Sequence, residues 1–132
     1  MNKNSANTQV IYEQVNEIGV ITIDSPPVNA LSEMVIAGLI LGLLSFEADS
    51  SAKALVICCN GRTFVAGADI KDFEREDFSA TAFNQMLLQL ENQKRPVVAA
   101  LHGHVLGGGL ELAIACHARV ALPNTRLGLP EI

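Results

Sequence analysis

The sequence predicts an α/β domain built on parallel strands, from three observations. Apolar, β-branched runs alternate with longer stretches of helical spacing, the order expected of strand–helix–strand units. Ala54 to Cys59 is apolar at every position, as in a strand covered on both faces of a parallel sheet. Of the 132 residues, 49% are hydrophobic and 17% charged, enough for one sizeable core and too apolar for disorder.

The elements follow in order. Residues 1–8 are polar and read as a flexible tail with no signal-peptide character, leaving 9–132 as one domain. Val10 to Asn16 and Gly19 to Asp24 read as two strands of a hairpin. Ser25-Pro26-Pro27 stops the second strand, and Ser32 with Glu33 forms a helix start, predicting a helix to Ala48. Its apolar residues lie all round, which predicts burial on most sides. The stretch from Met34 to Phe46 falls short of the about 20 residues that cross a bilayer, so no membrane span is expected.

After the strand at 54–59, Asn60-Gly61-Arg62 is a turn, and the small residues of 63–70 lead to a short helical turn at 71–73. Glu74 to Asp77 is a charged connector. Phe83, Met86, Leu87 and Leu90 have amphipathic spacing in a helix over about 79–93. Pro96 opens a strand at Val97 to Leu101. A glycine turn then leads into a helix ending near Cys116, followed by a strand at Ala118 to Ala121 and a terminal loop.

A net charge of −5 without a basic stripe argues against nucleic acid as a partner. Cys58, Cys59 and Cys116 form no disulfide framework, which fits a reducing cytoplasm. There is no C-x-x-C pair. His102 and His104 find no third ligand at useful spacing, so they read as a solvated or hydrogen-bonded pair and no metal is expected. His117 reads as a charge or hydrogen-bonding partner at a helix C-terminus. Nucleotide fingerprints fail: G-x-G-x-x-G is absent, and Gly109-Leu110 stands where a P-loop needs Lys and Ser/Thr.

Chemistry concentrates in three segments. Gly107-Gly108-Gly109 opens a helix that carries Glu111, so backbone N–H groups and a carboxylate meet at a helix N-terminus. Ala66-Gly67-Ala68 is a second small-residue loop that a ligand could approach closely. Gly128-Leu129-Pro130-Glu131 offers a second carboxylate in a rigid turn. Two amide-rich turns and two acids suit an oxyanion site flanked by an acid/base pair. A glycine run also serves close helix–strand packing, and Glu131 also reads as an exposed terminal residue. The residues alone leave both readings open.

Phe64-Val65-Ala66-Gly67-Ala68-Asp69-Ile70, Ala99-Ala100-Leu101-His102-Gly103, Leu106-Gly107-Gly108-Gly109-Leu110-Glu111-Leu112-Ala113 and Gly128-Leu129-Pro130-Glu131 together resemble the crotonase (enoyl-CoA hydratase/isomerase) superfamily. Pro26 to Ser32 and Cys116 to Ala121 resemble most the hydratase part of bifunctional hydratase/3-hydroxyacyl-CoA dehydrogenases. The resemblance implies a spiral of β-β-α units, with Ala68 and Gly108 as oxyanion-hole donors and Glu111 and Glu131 as the carboxylate pair that adds water to a trans-2-enoyl-CoA. It further implies that Pro26, Val28, Ala66, Gly67, Asp69, Ile70, Gly107 and Pro130 border the CoA and substrate groove, with Arg62 and Lys71 near the phosphates. The CoA thioester is then the substrate, and no cofactor is needed. Having both carboxylates favours hydratase over isomerase.

Measured against that family, the chain reads as the N-terminal half of a domain, truncated before the helices that build the acyl pocket and the oligomer. Two expectations follow from this reading. One is hydratase chemistry that is weak or absent in this length of chain. The other is a non-catalytic remnant that self-associates through the apolar helix, so a homo-oligomer is expected.

Overall fold

The computed structural model describes residues 3–5, 7–66 and 78–129. Strands β1 (Lys3–Ser5), β2 (Val10–Val15), β3 (Ile18–Ile23), β4 (Ala54–Cys59), β5 (Val97–Leu101) and β7 (Ala118–Ala121) form one sheet in the order β1-β2-β3-β4-β5-β7. β2 and β3 are the expected hairpin, turning at Asn16 with φ of 56°. From β3 onward every pairing is parallel. The segment read as a loose tail departs from expectation at 3–5, where it pairs antiparallel with β2 and extends the sheet.

Among the described residues three helices connect the strands: α1 (Glu33–Ala48), α2 (Phe78–Glu91) and α3 (Gly108–Ala115). Ser32 caps α1 by accepting from the N–H of Val35 through its hydroxyl, so the sequence signal for this helix start was sound. The helix expected at 71–73 lies outside the described residues.

The core lies between the helices and one face of the sheet. Ile21, Ile23, Leu55, Ile57, Val97 and Ala99 point inward from the strands and meet Leu39, Leu43, Phe46, Met86, Leu90 and Leu112. The alternate residues on the same strands, including Val20, Val56, Cys58 and Val98, are half-buried and stand outside that core. Coverage of β4 on both faces, expected from its composition, is therefore not found among the described residues. α1 differs similarly: Met34, Leu41 and Leu44 are exposed, leaving an apolar outer stripe where burial on most sides was expected. No helix among the described residues is long and apolar enough to cross a membrane.

The C-terminus of α1 is tied down by side chains. Arg95 donates from Nη1 to the carbonyls of Asp49 and Ala52 and from Nη2 to Phe46, at 2.9, 2.6 and 2.9 Å. Its guanidinium also sits 3.7 Å from the centre of the Phe46 ring. Beside it, Tyr12 donates its hydroxyl to Asp49 at 2.7 Å. That bond holds the Asp49 carboxyl below its usual range, while burial and then the same bond push the Tyr12 hydroxyl up.

A second sheet of two short strands, β6 (His104–Leu106) and β8 (Arg126–Gly128), was not foreseen. Three-residue strands beside a glycine turn carry too little alternation to register as pattern. They matter because they set the entry to α3.

Candidate active site

The glycine turn is fixed from three sides. Gly107 has φ of 57° and ψ of −122°, a backbone setting that favours glycine, and its N–H donates to the carbonyl of Gly128 at 3.0 Å. Its carbonyl accepts from Leu110 and Glu111 and so opens α3. Gly109 packs with its Cα directly over the Val65 carbonyl, where a Cβ has no room. A Cβ at Gly108 would stand 2.6 Å from a Leu31 methyl.

Val65 and Ala66 run alongside this turn. Leu106 donates its N–H to Val65 at 3.3 Å, and Ala66 bridges Leu106 in parallel. Ala66 in turn donates to the carbonyl of Val28 at 3.1 Å. Three separate loops thus converge at one place: 26–28, 63–66 and 107–109.

The polar frame beneath them was missed by sequence reasoning. Asn29 is buried with φ of 54°. Its Oδ1 accepts from the N–H of Ser25 at 2.7 Å, and its Nδ2 donates to the carbonyls of Asn60 and Thr63, both at 2.9 Å. Buried Thr63 donates its hydroxyl to the carbonyl of His104 and accepts from the His104 N–H, at 2.8 and 2.7 Å. Asn29 and Thr63 therefore tie the loop after Ser25 to the 60–63 segment and to His104 of β6, the strand that leads into the glycine turn. The only sequence signal for Asn29 was its place in a Pro-Pro-Val-Asn turn, where Asn tolerates positive φ.

The arrangement suits developing negative charge. Gly107 gives α3 no side-chain cap, and no acceptor among the described residues meets the N–H of Gly108 or Gly109. These donors point out of a helix N-terminus, where the dipole adds to their pull on an anion. Glu111 lies in the first turn of α3 with an exposed side chain.

The structure thus brings together Val28, Ala66, Gly107, Gly108 and Glu111, with Pro26 exposed on the loop beside them. Gly67, Ala68, Asp69, Ile70, Lys71, Pro130 and Glu131 lie outside the described residues.

The two histidines are hydrogen-bonded and solvated respectively, as expected. His102 donates from Nε2 to the carbonyl of Gly61 at 2.8 Å, while His104 is held by its backbone and its side chain is exposed. No cluster that could hold a metal occurs among the described residues. His117 accepts from the N–H of Val97 through Nδ1 and donates from Nε2 to Glu91, at 3.2 Å each, so it is the hydrogen-bonding partner of the two expected roles.

Comparison with known proteins fits this picture. A sequence model of the family described as "Enoyl-CoA hydratase/isomerase" matches residues 13–132. A Bacillus subtilis (strain 168) protein named "Probable enoyl-CoA hydratase" is 44% identical over 121 residues, which are 87% of this chain and 47% of that protein. The human "Peroxisomal bifunctional enzyme" is 38% identical over 117 residues, 89% of this chain and 16% of that protein. Among solved structures, an enoyl-CoA hydratase/isomerase from Marinobacter aquaeolei superposes with a TM-score of 0.83 at 34% identity, covering 93% of this chain and 52% of that one. The chain thus spans about half the length of single-function relatives such as the Bacillus protein. On these matches, this chain belongs to the enoyl-CoA hydratase/isomerase (crotonase) family and corresponds to the N-terminal portion of its domain.

Proposed function

We propose that this chain carries the oxyanion-binding half of an enoyl-CoA hydratase site and takes a trans-2-enoyl-CoA thioester as its substrate. One observation carries the reading: the uncapped N-terminus of α3, whose Gly108 N–H meets no acceptor among the described residues, has Glu111 one turn away. The thioester oxygen accepts from the N–H of Gly108 and from that of Ala68. A water held by Glu111 and Glu131 gives hydroxide to C3, and its proton goes to C2 of the enolate, so the double bond becomes a 3-hydroxyacyl thioester. Charge that builds on the thioester oxygen is what the two donors stabilise, and losing one such donor costs about 3–4 kcal/mol of barrier. The name of the Bacillus relative supports the substrate class, and that of a 41% identical Arabidopsis thaliana protein, "Peroxisomal fatty acid beta-oxidation multifunctional protein AIM1", supports a place in fatty-acid β-oxidation. The free cysteines fit a reducing, cytoplasmic setting.

A second reading rests on length. Because the chain spans 47% of the Bacillus relative, a non-catalytic half-domain that still binds the thioester is the alternative to a slow hydratase. Both are tested with crotonyl-CoA, by calorimetric binding and by loss of the enoyl-thioester absorbance. Slow turnover that Glu111→Gln lowers by about 10²–10⁴ is the expected sign of hydratase chemistry. Binding with no turnover supports the half-domain, and neither binding nor turnover sinks both.

A further inference from the structure

Beneath the glycine turn, one buried hydroxyl stands in for a step of backbone pairing. Residues 63–66 and 102–106 run side by side, with the N–H of Phe64 donating to the His102 carbonyl at 2.8 Å and that of Leu106 to Val65 at 3.3 Å. Between those two bonds, at His104, backbone gives way to side chain. Thr63 Oγ1 donates to the His104 carbonyl at 2.8 Å and accepts from its N–H at 2.7 Å. That double contact needs one atom that is donor and acceptor together, which Thr supplies and Val, of the same shape, does not. Gly103 allows the approach, since a Cβ there would stand 2.8 Å from both Cα and Oγ1 of Thr63.

The Thr63 carbonyl is held in turn by Asn29. Asn29 Nδ2 donates to it and to the Asn60 carbonyl, and the N–H of Ala66 donates to the neighbouring Val28 carbonyl. Residues 60–66 are thus pinned to the 28–29 turn at three points. Burying an amide and a hydroxyl costs desolvation that apolar side chains avoid, and what these two supply instead is a fixed distance between backbones.

We propose that Asn29 and Thr63 are positioning residues that set the gap between the two amide donors of the thioester site, a role that rests on the hydratase reading above. Along the sequence, one pinned segment leads through Ala66 toward Ala68, and the other leads through β6 to Gly107 and Gly108. Both donors must lie within about 3 Å of one oxygen, so an error of about 1 Å in the gap releases one of them. Thr suits the task because its β-branched side chain has few χ1 settings, which makes the clip stiff.

Infrared difference spectra of crotonyl-CoA, isotope-labelled at the thioester carbonyl, test the role. A carbonyl that accepts hydrogen bonds absorbs at lower frequency, so the band should move down when the unmodified chain binds. Thr63→Val should keep the native circular dichroism yet lose most of that shift. Its turnover should fall about 10²-fold, with calorimetric affinity changed far less. Thr63→Ser keeps the hydroxyl and should recover both. Asn29→Asp keeps the shape and the tolerance of positive φ but sets an acceptor against two carbonyls, and should lose the shift too. A merely structural role predicts something else: a lower urea midpoint with the full shift retained. Either folded variant that keeps the full shift overturns the proposal, as does a Thr63→Ser chain no better than Thr63→Val. If Thr63→Val fails to fold, Asn29→Asp decides; if the unmodified chain binds without turnover, the shift decides. An unmodified chain that binds no crotonyl-CoA, or binds it with no shift, overturns the hydratase reading and this role together. A shift indifferent to Asn29 and Thr63 overturns this role alone.

Discussion

The two faces of the six-stranded sheet are made from the same kinds of residue and have different fates. Ile21, Leu55, Ile57 and Val97 lose all or nearly all exposure beneath three helices. One position along each strand, Val20, Val56 and Val98 stay half-buried with no described element over them. Composition does not separate the two sets, because each is β-branched or aliphatic. What separates them is which elements the chain supplies to cover each face. On the covered face apolar residues stabilise the monomer; on the other they can do so only through something added from outside.

Substitutions to alanine at adjacent positions give the largest contrast. Ile57→Ala empties a site with about 1% exposure and should cost about 2–5 kcal/mol by lost transfer energy and a residual cavity. Val56→Ala should cost less than about 1 kcal/mol. Urea unfolding followed by circular dichroism reads both, with a lower midpoint and an unchanged slope for Ile57→Ala. Equal losses would mean that the second face is covered in the monomer, and the contrast between the faces would be gone.

This contrast also shows what was legible. Hairpin, helix starts and the alternation of strand with helix were readable because each rests on local chemistry: Ser32 as a cap, Pro26-Pro27 as a strand stop, the spacing of Phe83, Met86 and Leu90. Val28, Ala66, Gly108 and Glu111 were readable as candidate site residues through motif resemblance, and the turn at Gly107 through its glycines. Coverage of β4 was not readable, since an unbroken apolar run looks the same whether one face or two is packed. Asn29 and Thr63 were equally hidden, because apart from Ser25 their partners lie 31 to 41 residues away and only the fold reveals them. The strands β6 and β8 hid among turn residues for the same reason.

Arg95 sharpens the comparison from the covered side, since it fastens the end of α1 over that face. Three α1-end and loop carbonyls accept from its guanidinium, and the Phe46 ring lies beneath it. Arg95→Ala should cost about 2 kcal/mol, the scale of hydrogen bonds to a charged donor less the solvation its carbonyls regain. Arg95→Lys should recover only part, because one ammonium cannot reproduce the planar fork. Thermal unfolding of the three chains checks the order, and full recovery in Arg95→Lys would show that charge alone holds the helix end.

Cys58 and Cys59 place the same side chain on the two faces, one residue apart, and give the smallest and most specific test. Burial pushes the Cys59 thiol up, with the neighbouring Cys58 adding to it and a backbone hydrogen bond at Val65 opposing it. Burial likewise pushes Cys116 up to about 12. In the unfolded chain both thiols ionise near the ordinary value of about 8.5. The folded state keeps them protonated above that value, so their contribution to stability is whole below about pH 8.5 and is lost as the pH rises. One pH unit above that value each should lower stability by about 1.4 kcal/mol. Cys59→Ala should flatten the alkaline fall by one thiol's share, whatever its separate packing cost. Urea midpoints taken at pH 7.5 and pH 9.5 measure the difference. If Cys59→Ala leaves the alkaline fall unchanged, burial of that thiol on the covered face does not hold its proton, and the distinction between the faces rests on packing alone.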